Sequence, residues 1–505
     1  MTTLSLDRLR GGGERLMEEL SREYYRAQAG LQQGAELAPI YTRHADVLSE
    51  ESLAMARELF RSATPGSEEL RSARLLLDWQ AEGHVSRTLA PLDEREIAWE
   101  ASAVVHVPDG RRIPFQRMAI EIANSTDRDE RLALESARAK LVAAELAPLR
   151  RERFQREREL TEGLEIAPGY NAAFTAVSGI DLPGLVAQCQ AFLRDTREMW
   201  GDVFRSSVRQ KLGIEPSEAR RADALALMRA PEFDPYFPGS DMEREILRQT
   251  GEMGVDAHAG GRITFDTAER EGKRSRAFCA PVRVPQEVYL VLRPHGGQAD
   301  YRTFLHELGH ALHFGCTRPD LPFEYRWLGD NSITESYAML FDHLMHDSGW
   351  LLRYTRLGRP GLPAFLRTVG FEELHFLRRY SAKLIYEYAL YSGEVSWDSL
   401  PDLYVATLSD ATLFEYDAAD AFVDVDPRFY SARYLRAWQL QALITRTLVE
   451  RFDEDWYRNP RSGPWIVEHL FAEGQRELAQ ELAERVGGEP LSFTPLLRAT
   501  EALLV

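Results

Sequence analysis

The chain has 505 residues, 44% of them hydrophobic, enough for two or three domains or one large helical body with a sizeable core. A net charge of −18 and a pI near 5.3 repel a phosphate backbone, so nucleic acid is not expected as a partner. No run approaches the ~18 apolar residues of a membrane span, and the opening MTTLSLDRLRGGGERLMEEL lacks the apolar core of a signal peptide.

Apolar residues at three- and four-residue intervals predict amphipathic helices over 12–30, 45–63, 67–82, 127–147, 184–212 and 433–452. The stretch LAPLRRERFQRERELTEG (146–163) reads as a solvated, charged helix face. After residue 229 the texture changes. APEFDPYFPGSDM (230–242), rich in proline and aromatics, predicts an irregular loop. GRITFD (261–266) and EVYLVLRP (287–294) read as two short strands, a strand pair beside a cleft. One free edge of that pair could align an extended peptide; equally, the pair could be a hairpin that only packs on the next helix. Cys189, Cys279 and Cys316 are far apart, odd in number and form no CxxC, which predicts packed thiols in a reducing cytoplasm; with no apolar span, no membrane partner is expected either.

YRTFLHELGHALHFG (301–315) carries the chemistry. With Asp300 as N-cap and Gly315 as stop, a helix is expected over 301–314. His306 and His310 then stand about 40° apart around the axis, so both imidazoles can reach one tetrahedral ion. Glu307 follows His306 too closely to be a natural third ligand, but it is placed to take a proton from a water on the metal. Leu305, Leu308 and Leu312 anchor the opposite face in the core.

A catalytic zinc site wants a third protein ligand and one open position. Glu335, 25 residues after His310, is the favoured candidate. SITE (332–335) also reads as a capping box in which Ser332 caps and Glu335 reaches back, and Asp330 and Asp342 are rival ligands. His313 returns to nearly the face of His306, about 20° off, yet lies a turn beyond His310. It reads as a structural histidine, with a substrate-facing role as the alternative. His295 sits in a glycine turn, and His343 and His346 read as structural or exposed.

HELGHALHFG followed by TESYAMLFDHL, with 24 residues between the second histidine and the glutamate, resembles the thimet oligopeptidase and oligoendopeptidase F family of zinc peptidases. EREGKRSRAFCAP (269–281) is similar to the family's segment before the motif, and DPRFYSARYLRAW (426–438) to its tyrosine-rich stretch. The resemblance covers about 255–450, while the first 200 residues share only helical character. It implies one Zn2+ per chain held by His306, His310 and Glu335, with Glu307 as general base. Phe429, Tyr430 and Tyr434 match the tyrosine stretch. Arg428 stands where a histidine is usual, and Leu435, Arg436 and Ala437 replace other polar or aromatic positions.

The implied fold is mainly α: a large two-lobed helical body with a deep substrate channel and a small β-sheet next to the HExxH helix. Residues 1–200 would cover the cleft and 201–505 would form the catalytic region. The implied activity is hydrolysis of internal bonds in short peptides. An oxyanion develops there, and the phenols of Tyr430 and Tyr434 suit its stabilisation. A zinc carboxypeptidase of related helical type is the alternative; it needs a cation for the substrate's terminal carboxylate, and the arginines are too numerous to nominate one. A catalytically impaired peptide-binding protein of the same fold is a third reading, opposed by the intact Glu307.

Overall fold

A computed structural model describes residues 5–274 and 276–504. The first four residues of the opening stretch, and Ser275 within EREGKRSRAFCAP, lie outside the described residues. The fold is mainly α with small sheets. The described residues hold no single helix long and apolar enough to cross a membrane, and all three cysteines are free thiols.

Contacts divide the chain into two compact units. One comprises Met1–Gln80, Glu232–Leu366 and Arg436–Ala499, the other Ala81–Pro231, Arg367–Leu435 and Thr500–Val505.

The first unit begins with the helix Leu6–Gln28, which starts six residues before the sequence expectation because Ser5 caps it, accepting from Arg8 N at 3.3 Å. Glycine inside a helix costs about 1 kcal/mol against alanine, so GGG concealed this turn. Packing explains it: a Cβ on Gly12 would lie 2.8 Å from Val47, and one on Gly13 2.8–2.9 Å from Trp79 and Phe323. Further along the helix, Arg22 grips Glu287 through two bonds of 2.6 and 2.8 Å, and Tyr25 stacks on Tyr289 with centroids 3.8 Å apart. Glu50–Ser62 is capped by Ser49.

Those partners belong to a three-stranded sheet, preceded in the chain by a two-stranded hairpin, β1 (Val104–His106) and β2 (Arg112–Pro114), in the second unit. The three strands are β3 (Ile263–Asp266), β4 (Phe278–Arg283) and β5 (Glu287–Val291), in the order β3-β5-β4. The two expected strands do pair, but parallel, from Ile263↔Val288 to Asp266↔Val291. The hairpin partner of β5 is β4, antiparallel from Phe278↔Val291 to Arg283↔Glu287. β4 escaped the sequence reading because Pro281 removes a ladder donor and its register shifts between Pro281 and Arg283. The expected loop 230–242 is also corrected. Pro231–Tyr236 is 3-10 helix, and Gly239–Glu252 is an α-helix that starts straight after Pro238.

The helix Glu68–Ser102, whose residues up to Gln80 belong to the first unit and the rest to the second, outruns the expected 67–82 and passes through Pro91. Arg128–Leu141, a π-helical turn Val142–Leu146 and Ala147–Gly163 follow one another without a break. Arg150 and Arg153 are not a solvated face: each is turned to an acid of the preceding long helix, Arg150 to Glu96 and Arg153 to Asp93 at 2.6 Å. The expected 184–212 helix is broken at Thr196, whose hydroxyl bonds Phe192 O at 2.7 Å. Side-chain competition for a helix carbonyl of this kind loosens the ladder. The hairpin β1–β2 packs Val105, Val107 and Ile113 against Met118, Ile122 and Leu134.

Candidate metal centre

The motif helix runs from Gln298 to Cys316, longer at both ends than its expected 301–314. Asp300 is not its cap. That carboxylate accepts from His295 N at 2.7 Å and Gly296 N at 2.8 Å, closing the turn before the helix. Gly315 does not stop the helix; it lies against Ile263, and Thr317 follows the end. Leu305, Leu308 and Leu312 are wholly buried, as their spacing requires.

A second helix, Asn331–Asp342, crosses the first at Gly309. A Cβ there would run into the backbone, against Tyr337 O and 2.5 Å from Ala338 Cα. This close approach is what brings Glu335 over the histidines. Its Oε2 lies 3.4 Å from His306 Nε2 and 3.7 Å from His310 Nε2, and the three donor atoms fall within 4.8 Å of one another. The capping-box reading of SITE is corrected. Asp330, not Ser332, caps the helix, accepting from Ser332 N at 3.0 Å. Asp330 is also committed to Arg436 Nη1 at 2.7 Å and Ala479 N at 3.1 Å, so it is not the rival ligand.

Two imidazole nitrogens and a carboxylate oxygen are a donor set that suits zinc. The outward nitrogens of both rings are occupied: His306 Nδ1 meets Asp342 Oδ2 at 2.8 Å, and His310 Nδ1 meets Thr334 Oγ1 at 2.9 Å. With Nδ1 engaged, each ring turns Nε2 inward, which is the arrangement a metal-binding histidine needs. Asp342, the weaker rival ligand, is instead bonded to the outward nitrogen of the His306 ring. Sequence reasoning missed this role, and missed Thr334. The signal available was position, since Asp342 is seven residues after Glu335 and returns to its helix face.

The electrostatics fit a cation. Burial works against a charged His306, but Asp342 and Glu335 outweigh it and raise its pKa to about 10. A proton thus holds the place of positive charge between two carboxylates. Burial lowers His310 to about 4, with Glu335 opposing, so that ring is a neutral donor. Burial would raise Asp342; His343 and His306 overturn this and hold it well below the ordinary carboxylate range. Glu307 accepts from Cys279 N on β4 at 2.7 Å, and burial pushes its pKa up to about 7 against the pull of His306 and that amide. A carboxylate with a pKa near neutrality is suited to general-base work.

His313 is fully buried, with Phe314, Tyr337 and Phe471 ring centroids 4.9–6.0 Å away. It belongs to the core. His295 is exposed in its turn. Tyr430 and Tyr434 belong to the second unit, half-buried in the first turns of the helix Tyr430–Phe452. Their rings lie 4.9 Å apart, and Tyr434 meets Tyr380 at 5.6 Å. Just before them Arg428 and Phe429 both have left-handed backbone, φ 54° and 50°, and Arg428 lies 3.6 Å from Glu82. Phe429, wholly buried against Tyr170, Phe174 and Tyr391, anchors the turn.

No protein-family model and no curated protein matches the chain. Solved structures do. An M32 carboxypeptidase from Deinococcus radiodurans R1 superposes with a TM-score of 0.59 at 14% identity, covering 99% of this chain and 99% of that one. BsuCP superposes with a TM-score of 0.60 at 14% identity, covering 98% of this chain and 97% of that one. At this identity the likeness is one of fold, and over almost its whole length the chain has the mainly helical fold of these proteins.

Proposed function

We propose that the protein is a zinc-dependent peptidase in which His306, His310 and Glu335 hold one Zn2+ and Glu307 is the general base. The observation that carries this reading is the convergence of three donor atoms within 4.8 Å, beside a buried carboxylate with a pKa of about 7. When bound, zinc supplies a Lewis acid that polarises a peptide carbonyl and lowers the pKa of water. The remaining work falls to the chain. Asp342 and Thr334 fix the two rings so that their Nε2 atoms stay aimed at one point. The Cys279 amide holds Glu307 Oε2, leaving Oε1 as the oxygen that takes a proton from water and passes it to the leaving amine. A donor role for Tyr430 and Tyr434 towards the developing oxyanion rests on the sequence resemblance alone.

Two finer readings differ in where the substrate is cut. The motif resemblance supports cleavage of internal bonds in short peptides. The fold likeness to an M32 carboxypeptidase, spanning 99% of the chain, supports removal of C-terminal residues. We take the carboxypeptidase as the finer reading, because it rests on the whole fold rather than on four short segments. The test is metal analysis combined with mass analysis of digests of a short-peptide library. The zinc-loaded protein should release products, and Glu307→Gln should keep zinc and lose hydrolysis. Full activity in Glu307→Gln would refute the mechanism.

A further inference from the structure

The helix that carries Glu335 ends at Asp342 and tightens into a 3-10 turn over His343–His346. The turn is pinned. Leu344 and Met345 within it are buried, and Asp347 after it caps the next helix, Ser348–Tyr354, accepting from Trp350 N at 2.7 Å. The His346 ring lies against that of His343, with centroids 4.5 Å apart. Adjacent side chains on a helix do not face one another, yet at this junction two of them meet. His343 Nδ1 lies 2.5 Å from Asp342 Oδ1. Only 14% of the His343 side chain and 13% of the Asp342 side chain are exposed.

The Asp342 carboxylate is thus divided between two imidazoles. Oδ2 meets His306 Nδ1 at 2.8 Å and Oδ1 meets His343 Nδ1, and these are its hydrogen-bond partners among the described residues. An ionised carboxylate only accepts, so both rings donate through Nδ1. In His306 this leaves Nε2, the atom facing Glu335, as the one that can hold a metal. The bond from His343 matters to that geometry in two ways. Asp342 has little access to water, and a buried acceptor without a donor is costly; a rotation that relieved Oδ1 would carry Oδ2 away from His306. A donor on Oδ1 also draws charge from the carboxylate. It therefore limits how strongly Asp342 pulls on the His306 proton, and with it the electron density that Nε2 offers a cation.

We propose that His343 is a positioning residue of the metal centre, which holds Asp342 Oδ1 and so fixes the carboxylate bonded to His306. The inference deepens the peptidase reading and rests on it in one respect, that His306 is a zinc ligand.

The test uses the full chain and zinc itself. His343→Asn keeps an N–H donor in place of the imidazole Nδ1, whereas His343→Leu has nearly the shape of asparagine and no donor. Zinc dissociation constants are measured by competition with a chromophoric chelator, and Co2+, whose visible bands report its ligands, is loaded in parallel. Circular dichroism and the Tm of the metal-free protein show that each variant is folded, and His343→Ala takes the place of His343→Leu if that variant is not. His343→Leu should weaken zinc about 10-fold, the low end for losing an outer partner of a ligand, and should shift the Co2+ bands. His343→Asn should stay within about threefold, because the donor is kept. Added to Asp342→Asn, His343→Leu should cost nothing further, since its path to the metal runs through that carboxylate. A merely structural histidine would lower Tm and leave zinc affinity and the Co2+ bands unchanged, and that result overturns the proposal. Equal losses in His343→Asn and His343→Leu, or losses that add in the double variant, overturn it as well. His306→Ala separates the proposal from the reading beneath it. If His306→Ala loses zinc while His343→Leu binds it normally, the positioning role alone falls; if His306→Ala keeps its zinc, the ligand reading falls too.

Discussion

Gly309→Ala should cost the protein its zinc. A Cβ at this position would lie 2.5 Å from Ala338 Cα and 2.9 Å from Ala338 N, both backbone atoms of the helix that carries Glu335. Ordinary contact begins near 3.4 Å, so the two helices must separate by about 1 Å. Glu335 is three residues from Ala338 on a rigid helix and moves with it. Metal–ligand distances tolerate only about ±0.2 Å, so a shift several times larger breaks the three-donor geometry. The expected result is zinc affinity lower by at least 10- to 100-fold, on the order of losing an orienting partner, with a stability loss of about 1–3 kcal/mol from overpacking. Competition against a chromophoric chelator measures the first, and urea unfolding of the metal-free protein the second. Gly315→Ala is the control. Its Cβ would meet the side chain of Ile263 at 2.7 Å, away from the ligands, so it should cost stability and keep zinc affinity. If Gly309→Ala binds zinc within about twofold of the unsubstituted protein, the helix crossing does not set the ligand geometry.

Other outcomes follow from the same centre. Asp342→Asn removes the carboxylate from His306 Nδ1 and should weaken zinc about 10- to 100-fold; an unchanged dissociation constant would refute its orienting role. In the metal-free protein the same substitution should lower the His306 pKa from about 10, read by NMR titration. Chelation should lower Tm and addition of zinc restore it, since saturating metal at 1,000 times its Kd contributes about 4 kcal/mol. His313, which burial lowers to about 3, stays neutral in the fold while the unfolded chain titrates near 6.5. Stability is therefore unaffected above about pH 6.5 and is lost as pH falls towards 3, by about 2 kcal/mol at pH 5. His313→Phe should lack this loss, so its stability difference from the unsubstituted protein, measured by urea unfolding, should change between pH 7 and pH 5; an unchanged difference would place His313 outside the buried core.

The motif helix was legible because helical periodicity is local: His306, Glu307 and His310 share a turn, and their relation needs nothing beyond the helix. Glu335 was legible as the favoured carboxylate among three but not fixed by spacing, because its placement depends on Gly309 meeting Tyr337 and Ala338 across a helix crossing. Sequence spacing does not reveal which of Asp330, Glu335 and Asp342 ends up facing the histidines. In the structure their roles diverge, Asp330 capping the helix, Glu335 facing the two Nε2 atoms and Asp342 holding the His306 ring. β4 was hidden by Pro281, and with it the amide that holds Glu307. The parallel pairing of β3 with β5 followed from the same omission, since a strand inserted between them in the chain changes which neighbours form the hairpin. The early start of the first helix was masked by glycines whose value lies in contacts with Val47, Trp79 and Phe323, residues remote in sequence.

The grip on Asp330 has a consequence for how the protein is made. Arg436 and Ala479, which hold the carboxylate at the start of the Glu335 helix, lie far downstream. A ribosome adding about 5–20 residues per second needs roughly 10–30 s to pass from Glu335 to Ala479. Through that interval both histidines and Glu335 have been made, while the helix that carries Glu335 lacks its final anchor. The metal centre is therefore completed late in synthesis, and a chain truncated before residue 479 should carry all three donors without holding them in place.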